Sequence, residues 1–331
     1  MAFFLASGYH YPIFLAHIET ILSLFLCPLC GSNLTPDKKT WRCDGSQNPK
    51  TTVHSFDVAR QGYVNLLPVQ QKKSKAPGDS EDSIQARKRF LAAGYYAPLQ
   101  QALIDMVSSL VDKDDANRPI NWLDIGCGEG YYSQALASLN IDTLIAADIS
   151  KPALIELAKK SKSVNQLWYQ TTDNQLDDNT NHKAAIVPMV ASAANLPIKP
   201  NSLFGISSIF SPILPKAFFE VLEMGGYLVI AKPAQGHLES LRQALFEDVR
   251  EHDSDKFLQD LAPYFELIKR FEVATPLELS ADALADLLTM TPYSYRAKPE
   301  RRQKLLTLAA NSAFLTQARF VIFVLKKTAA N

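Results

Sequence analysis

Cysteine is scarce in this sequence. Four occur in 331 residues, too few for a disulfide framework and in keeping with a reducing, cytoplasmic setting. Charge of one sign is not in excess either, since 34 Lys and Arg balance 34 Asp and Glu. The first 37 residues contain no lysine or arginine. The opening run "MAFFLASGYHYPIFLAHIETILSLFL" therefore lacks the basic n-region of a secretory signal, and it has no small-residue cleavage site. His10, Pro12, His17 and Glu19 interrupt it, which makes it a poor membrane-spanning helix. Residues 1–25 read as an atypical apolar extension, either an appendage or the result of a start codon placed too early. No methionine lies between Met1 and Met106. No internal repeat is visible.

What is present is an apolar fraction of 47%, ample for a core, and an uneven charge distribution. Residues 37–100 hold 11 basic against 6 acidic side chains, residues 101–289 hold 15 against 26, and residues 290–331 hold 8 against 1. Two basic ends flanking an acidic middle suit contact with a polyanion. Residues 26–70 are short and broken, a turn-rich module. Residues 71–111 begin with a polar linker, "QQKKSKAPGDSEDS", followed by two helices broken near Gly94 and Pro98. From 112 to 331 apolar runs alternate with helical patterns: "INWLDIGCG", "TLIAADIS", "AAIVPMVAS", "SLFGISSIF" and "GGYLVIAKP". That order predicts an α/β fold with a parallel sheet covered on both faces. The tail predicts a strand in "YFELIKRFEVA", a helix in "SADALADLLTM" and a final strand in "ARFVIFVLKK".

The run "LDIGCGEG" carries the first chemistry. A strand ending at Asp124 leads through Gly126, Gly128 and Gly130 into a helix. Glycines allow a tight turn and close backbone approach to a ligand. The third glycine comes one residue earlier than in the dinucleotide fingerprint. Asp148 ends the next strand, 20 residues beyond Gly128, where a carboxylate can accept from ribose hydroxyls. The pattern resembles the Rossmann-like S-adenosylmethionine-dependent methyltransferases; a dinucleotide site is the alternative. The resemblance implies that Ser192, Ala193 and Asn195, after the third strand, bracket the adenine. It also implies that "FSPI", Phe210 to Ile213, faces the substrate. The Asn/Asp-Pro-Pro-aromatic motif of many amino-group methyltransferases is absent there, which argues against exocyclic-amine chemistry.

The second constellation is Cys27-x2-Cys30 with Cys43 and His54. Three thiolates and an imidazole complete a tetrahedral set that suits Zn2+, and a closed set of four is structural. Eleven residues from Cys43 to His54 is a long gap, and a surface histidine is the competing reading for His54. Cys127, in the glycine loop, reads as packing.

The order of these parts, with "GYVNLLPVQ" (62–70), "PGDS" (77–80), "QARKRFLAAGYYAPL" (85–99) and "MTPYSYRAKP" (290–299), is similar to the bacterial large-subunit rRNA guanine-N1 methyltransferases, the RlmA family. The resemblance runs from about residue 26 to the C-terminus and leaves out a polar insertion at 170–183. It implies transfer of a methyl group from S-adenosylmethionine to N1 of a guanine in a domain II hairpin of 23S rRNA, with guanine 745 the favoured position. On that expectation Lys38, Lys39, Arg42, Lys50, Lys72, Lys73, Lys75 and Arg87 to Arg89 grip phosphates. Trp41, Phe56 and Tyr63 offer stacking faces, and Arg296, Lys298, Arg301 and Arg302 approach the target loop. Tyr131 and Tyr132 stack on a base or pack, with packing favoured for one of them. His237 is the candidate general base, with a plain surface histidine as the competing reading. A homodimer would bring two zinc modules to one RNA. A methyltransferase for a non-rRNA substrate and a non-catalytic RNA-binding zinc module are the alternatives.

Overall fold

A computed structural model describes residues 23–37, 39–72, 74–114, 118–161, 184–247 and 255–329. The insertion at 170–183, Lys38 and Lys73 lie outside the described residues.

The chain begins with a small antiparallel sheet of β1 (Leu34–Thr35), β2 (Thr40–Cys43) and β3 (Ser55–Asp57), in that order. Trp41 stands opposite Phe56. Trp41 is not a surface platform, because it is buried against Phe25, ring centroids 4.8 Å apart. Tyr63 is buried as well. Both expectations of stacking faces are corrected, while Phe56 stays half-buried. The expected boundary at residue 25 also shifts. Leu24 and Phe25 are buried, and the backbone of 24–26 bonds across to the loop at 197–199. Leu26 N donates to Pro197 O at 3.0 Å and Lys199 N to Leu24 O at 2.9 Å.

Next, β4 (Val64–Asn65) forms an edge of the large sheet, parallel to a later strand. Helix α1 (Glu81–Ala92) is capped by Ser80, which accepts from Ser83 N, and carries Glu81 and Asp82 in its first turn, both favourable at a helix N-terminus. After a turn at Gly94 (φ +84°), Pro98 opens α2 (Ala97–Val111). The two-helix expectation matches this.

The rest is the doubly wound body: β5 (Asn121–Ile125), α3 (Tyr131–Leu136), β6 (Thr143–Asp148), α4 (Lys151–Lys160), β7 (Ala185–Val190), β8 (Leu203–Ile209), α5 (Pro215–Val221) and β9 (Leu222–Pro233). There follow α6 (Glu239–Leu245), α7 (Leu258–Leu261), β10 (Phe265–Leu279), α8 (Ala281–Met290), α9 (Tyr293–Arg296), α10 (Pro299–Asn311) and β11 (Phe314–Lys327). The eight-stranded sheet has the order β10-β11-β9-β8-β5-β6-β7-β4. Strands β4 to β9 run parallel, whereas β11 is antiparallel to both β9 and β10. The sheet is therefore mixed rather than wholly parallel. Its central strands are buried along their whole length, as expected where both faces are covered. The chain moves from β5 outward through β6 and β7, then returns to β8 on the other side of β5. Ligands of such sheets bind at this switch point, beyond the carboxyl ends of the strands.

Candidate metal centre and cofactor cleft

The metal ligands come from two turns. Gly31 N donates to Cys27 O at 2.8 Å, folding the Cys27–Cys30 knuckle. Cys43 ends β2, and its amide donates to His54 O at 3.0 Å across the start of β3. The long gap between Cys43 and His54 is a loop whose ends are closed by this strand pairing. His54 Nδ1 lies 3.5 Å from Cys27 Sγ and 3.7 Å from Cys43 Sγ, and Cys30 Sγ lies 3.9 Å from Cys43 Sγ. All four ligand atoms fall within 4.8 Å of one another. Zinc–ligand bonds of about 2.0–2.3 Å give tetrahedral edges of roughly 3.5–3.8 Å, close to these distances. Burial pushes the Cys27 thiol up to about 12. At Cys30 burial acts the same way, but hydrogen bonds with Ser32, Cys27 and His54 outweigh it and bring the thiol down to about 6. Cys127 is buried in the core and takes no part in the cluster.

The glycine loop sits at the switch point. Gly126, Gly128 and Gly130 all have positive φ. A Cβ on Gly126 would stand 2.3 Å from Ser211 Cβ, and one on Gly130 would stand 2.2 Å from Leu157 Cδ1. The loop after β5 is thus pressed against the "FSPI" loop after β8. Ser211 Oγ donates to Ile125 O at 2.9 Å.

Asp124 lies beneath the loop. Its carboxylate accepts from Ser133 Oγ at 2.5 Å and Ser207 Oγ at 2.8 Å, and burial pushes it up to about 6. It braces β5, α3 and β8 together. Asp148 stands at the loop itself, accepting from Gly128 N at 2.9 Å and Ser150 N at 2.7 Å. Burial raises it too, against those two amide bonds. Ala191 N donates to Asp148 O at 3.0 Å, which brings the Ser192–Asn195 turn alongside. Within that turn Ser192 is half-buried, Ala193 is half-buried and Asn195 is exposed.

Two charged residues at this loop, Asp79 and Glu129, are not singled out by the sequence, and Arg87 is expected on phosphates instead. The expected linker around "PGDS" is in fact pinned to the cleft. A Cβ on Gly78 would stand 2.7 Å from Ser150 Cβ, and Ser150 Oγ donates to Asp79 O at 2.9 Å. Asp79 pairs with Arg87 at 2.6 Å. Arg87 Nη1 comes within 3.3 Å of a Cβ placed on Gly128. Burial would lower the Arg87 guanidinium, but Asp79, Glu129 and Asp148 more than reverse that. Glu129 is buried, with Oε2 lacking a hydrogen-bond partner. Burial raises its carboxyl and Arg87 opposes the shift.

The expected phosphate-gripping run at 87–89 is corrected by the same contacts. Besides Arg87–Asp79, Lys88 pairs with Glu156 at 2.8 Å and Arg89 with Asp286 at 2.5 Å. These side chains fasten α1 to α4 and α8. Lys39, Arg42 and Lys50 of the zinc module are exposed. Lys298 and Arg301 share Glu247, and Arg296 lies over the exposed Tyr295 ring.

Beside the "FSPI" loop, Tyr96, Phe210 and Phe320 form a ring cluster with His237. His237 is buried, its ring 4.9 Å from Phe320. Its Nδ1 lies 2.7 Å from Arg319 O and 3.1 Å from Arg319 N. It is therefore no plain surface histidine. Tyr131 and Tyr132 pack edge to face, 5.0 Å apart, against the core.

Comparison with known proteins adds two family matches. Residues 25–75 match the zinc-ribbon family described as RlmA, N-terminal, and residues 123–207 match the methyltransferase domain family. A Streptomyces fradiae protein named 23S rRNA (guanine(748)-N(1))-methyltransferase is 29% identical over 288 residues, 85% of this chain and 89% of its own length. A Micromonospora griseorubida protein with the provisional name 23S rRNA (guanine-N1)-methyltransferase is 28% identical over 83% of this chain and 88% of its own. Among solved structures, phosphoethanolamine N-methyltransferase 2 of Haemonchus contortus, in complex with S-adenosylmethionine, superposes with a TM-score of 0.40 at 14% identity. It covers 75% of this chain and 57% of its own. Among the described residues no helix is long and apolar enough to cross a membrane.

The residues present fit both groups the two family matches imply. The Cys3His donor set suits a structural zinc ion. Of the three loop glycines, Gly126 and Gly130 pack against Ser211 and Leu157, while the Cβ position of Gly128 meets only the Arg87 guanidinium, beside an acid one strand over, a lining that fits S-adenosylmethionine.

Proposed function

The chain belongs to the RlmA family, and from that premise we propose that it transfers a methyl group from S-adenosylmethionine to N1 of a guanine in the domain II hairpin of 23S rRNA. The observation that carries the reading is the zinc module docked on the sheet, by 24–26 against the 197–199 crossover and by β4 along the carboxyl end of β7, two strands from the β5 that leads into the glycine loop. Recognition and transfer then share one face.

N1 lies on the Watson–Crick edge and is hidden in a paired helix, so the base must be unpaired or flipped. When bound, S-adenosylmethionine supplies an electrophilic methyl group on sulfur. Asp148 receives the ribose hydroxyls, and the Ser192–Ala193–Asn195 turn brackets the adenine. Gly128 would admit close approach of the cofactor, Gly126 and Gly130 let the loop pack against Ser211 and Leu157, and Asp124 holds the loop in place. N1 carries a proton that must leave. His237, buried against Phe320 beside the Phe210 ring, is the assigned base. In the tautomer whose Nδ1–H donates to Arg319 O, the basic lone pair of the ring is on Nε2. Lys39, Arg42 and Lys50 supply phosphate contacts, making binding salt-sensitive.

Guanine 745 is the position taken from the motifs, whereas the Streptomyces relative is named for 748. The substrate places the enzyme in the cytoplasm. As a homodimer it would present two zinc modules to one RNA, which light scattering with and without the hairpin would test. The function itself is tested by digesting the hairpin after reaction and identifying the nucleoside by mass spectrometry. 1-Methylguanosine supports it; N2-methylguanosine or no methylated nucleoside refutes it.

A further inference from the structure

Phe210 is out of place by two structural criteria. Its φ is +55°, a left-handed conformation rare for any bulky side chain and a true outlier for an aromatic one. Its side chain is also exposed, with 44% of the residue accessible. Glycine or asparagine would hold the same turn with less strain. A residue that costs stability in its backbone and leaves its ring in water is not there for the core.

The backbone conformation is imposed from both sides. Phe210 N donates to Ala231 O at 3.0 Å. The next residue, Ser211, is held to Ile125 O at 2.9 Å and to Ser208 Oγ at 2.8 Å. Pro212 then restricts Ser211 to extended geometry. Strain over-determined in this way marks functional positions. The ring is backed by an aromatic bed drawn from distant parts of the chain. Phe320 of β11 lies 5.5 Å away and Tyr96, before α2, lies 6.4 Å away, while those two stand 4.8 Å apart edge to face. The same turn that strains Phe210 puts Ser211 against Gly126 of the cofactor loop. The exposed ring therefore flanks the place where the methyl group is delivered.

We propose that Phe210 is the stacking platform for the extruded target guanine. The inference rests on the reading of the substrate as an unpaired guanine. N1 lies in the plane of the base. A surface that holds the base by its face leaves the N1 edge directed along the plane, toward the donor beside Gly126. Stacking also takes the place of the neighbours a base loses on leaving its helix. The left-handed turn is what aims the ring out of the core and over the cleft.

Phe210→Gly tests this without endangering the fold, because glycine relieves the strain. Relief of the strain offsets part of the lost contacts with Phe320 and Tyr96, so the variant is expected to melt cooperatively and to keep its S-adenosylmethionine affinity within about twofold. Hairpin methylation under single turnover should fall by roughly ten- to a hundredfold, the scale of one base–aromatic stack. Phe210→Tyr should retain most of the activity. A Phe210→Trp variant should show quenched indole emission when the hairpin is added with S-adenosylhomocysteine. Wild-type methylation with an unimpaired glycine variant overturns the platform and leaves the enzyme's function intact. So does a tyrosine variant as weak as the glycine one. If the unaltered protein does not methylate the hairpin and the tryptophan variant is not quenched, both the function and the platform fall. Quenching without methylation supports the platform and refutes the N1 reaction.

Discussion

Gly126 and Ser211 meet so closely that a methyl group on the glycine would stand 2.3 Å from the serine Cβ. This contact joins the loop after β5 to the loop after β8. Gly126 also has φ +70°, so Gly126→Ala combines strain with overlap. A loss of about 2 kcal/mol of stability or more is expected, read in urea unfolding, together with at least a tenfold loss of S-adenosylmethionine affinity by calorimetry.

Arg87 balances three acids at the glycine loop, of which Glu129 is buried. Arg87→Ala removes the cation that acts most strongly on Glu129 and leaves Lys160, a change that is costly in a buried site. The Arg87–Asp79 pair is partly exposed, 24% and 46%, which reduces the cost. We expect about 1–2 kcal/mol of lost stability and weaker cofactor binding, with Arg87→Lys intermediate because it keeps the charge and loses the fork.

The metal set predicts one zinc per chain by plasma mass spectrometry. Cys30→Ser should remove it and weaken hairpin binding at least tenfold. Cofactor affinity should change by less than threefold, since none of the four ligands lies at the glycine loop.

The acids under the loop give the protein without cofactor an unusual pH dependence. Asp124 is raised from 3.8 to about 6 in the folded state, so the folded chain binds the proton more tightly than the unfolded one. Its contribution therefore favours folding below pH 3.8 and is lost as pH rises from there through about 6, amounting to about 3 kcal/mol at most. Asp148 and Glu129 shift in the same direction. Asp124→Asn should flatten this part of the stability–pH curve, measured by denaturant melts between pH 4 and 7.

His237→Gln should lower kcat while leaving cofactor affinity unchanged. The deficit should shrink at high pH, where the guanine N1 proton leaves without help. An equal deficit at every pH would mean that His237 serves the Arg319 contact alone.

The parts legible in the sequence are those whose chemistry depends on local spacing. Gly126, Gly128 and Gly130 are separated by single residues, Asp148 ends the next strand, and Cys27 and Cys30 share one turn. Even the distant His54 was readable as a donor, although only the β2–β3 pairing explains how it arrives. What was missed depends on long-range packing. Ser150 meets Asp79 across 71 residues and Arg89 meets Asp286 across 197, so a pinned segment looked like a linker and paired bases looked like an RNA patch. Trp41 and Tyr63 looked exposed because composition says nothing of the core that Phe25 and β4 bring to them. Phe210 stood in a motif noted for its position, but only its positive φ and its exposure distinguish it.

The central claim is tested most directly by primer extension on 23S rRNA that lacks the modification, after incubation with the purified protein and S-adenosylmethionine. A methyl group on N1 blocks base pairing, so reverse transcriptase should stop beside one guanine of the domain II hairpin, only when the cofactor is present. A stop at 745 agrees with the motif reading and one at 748 with the Streptomyces relative. A protein that binds the cofactor normally yet yields no stop in that hairpin would contradict the account.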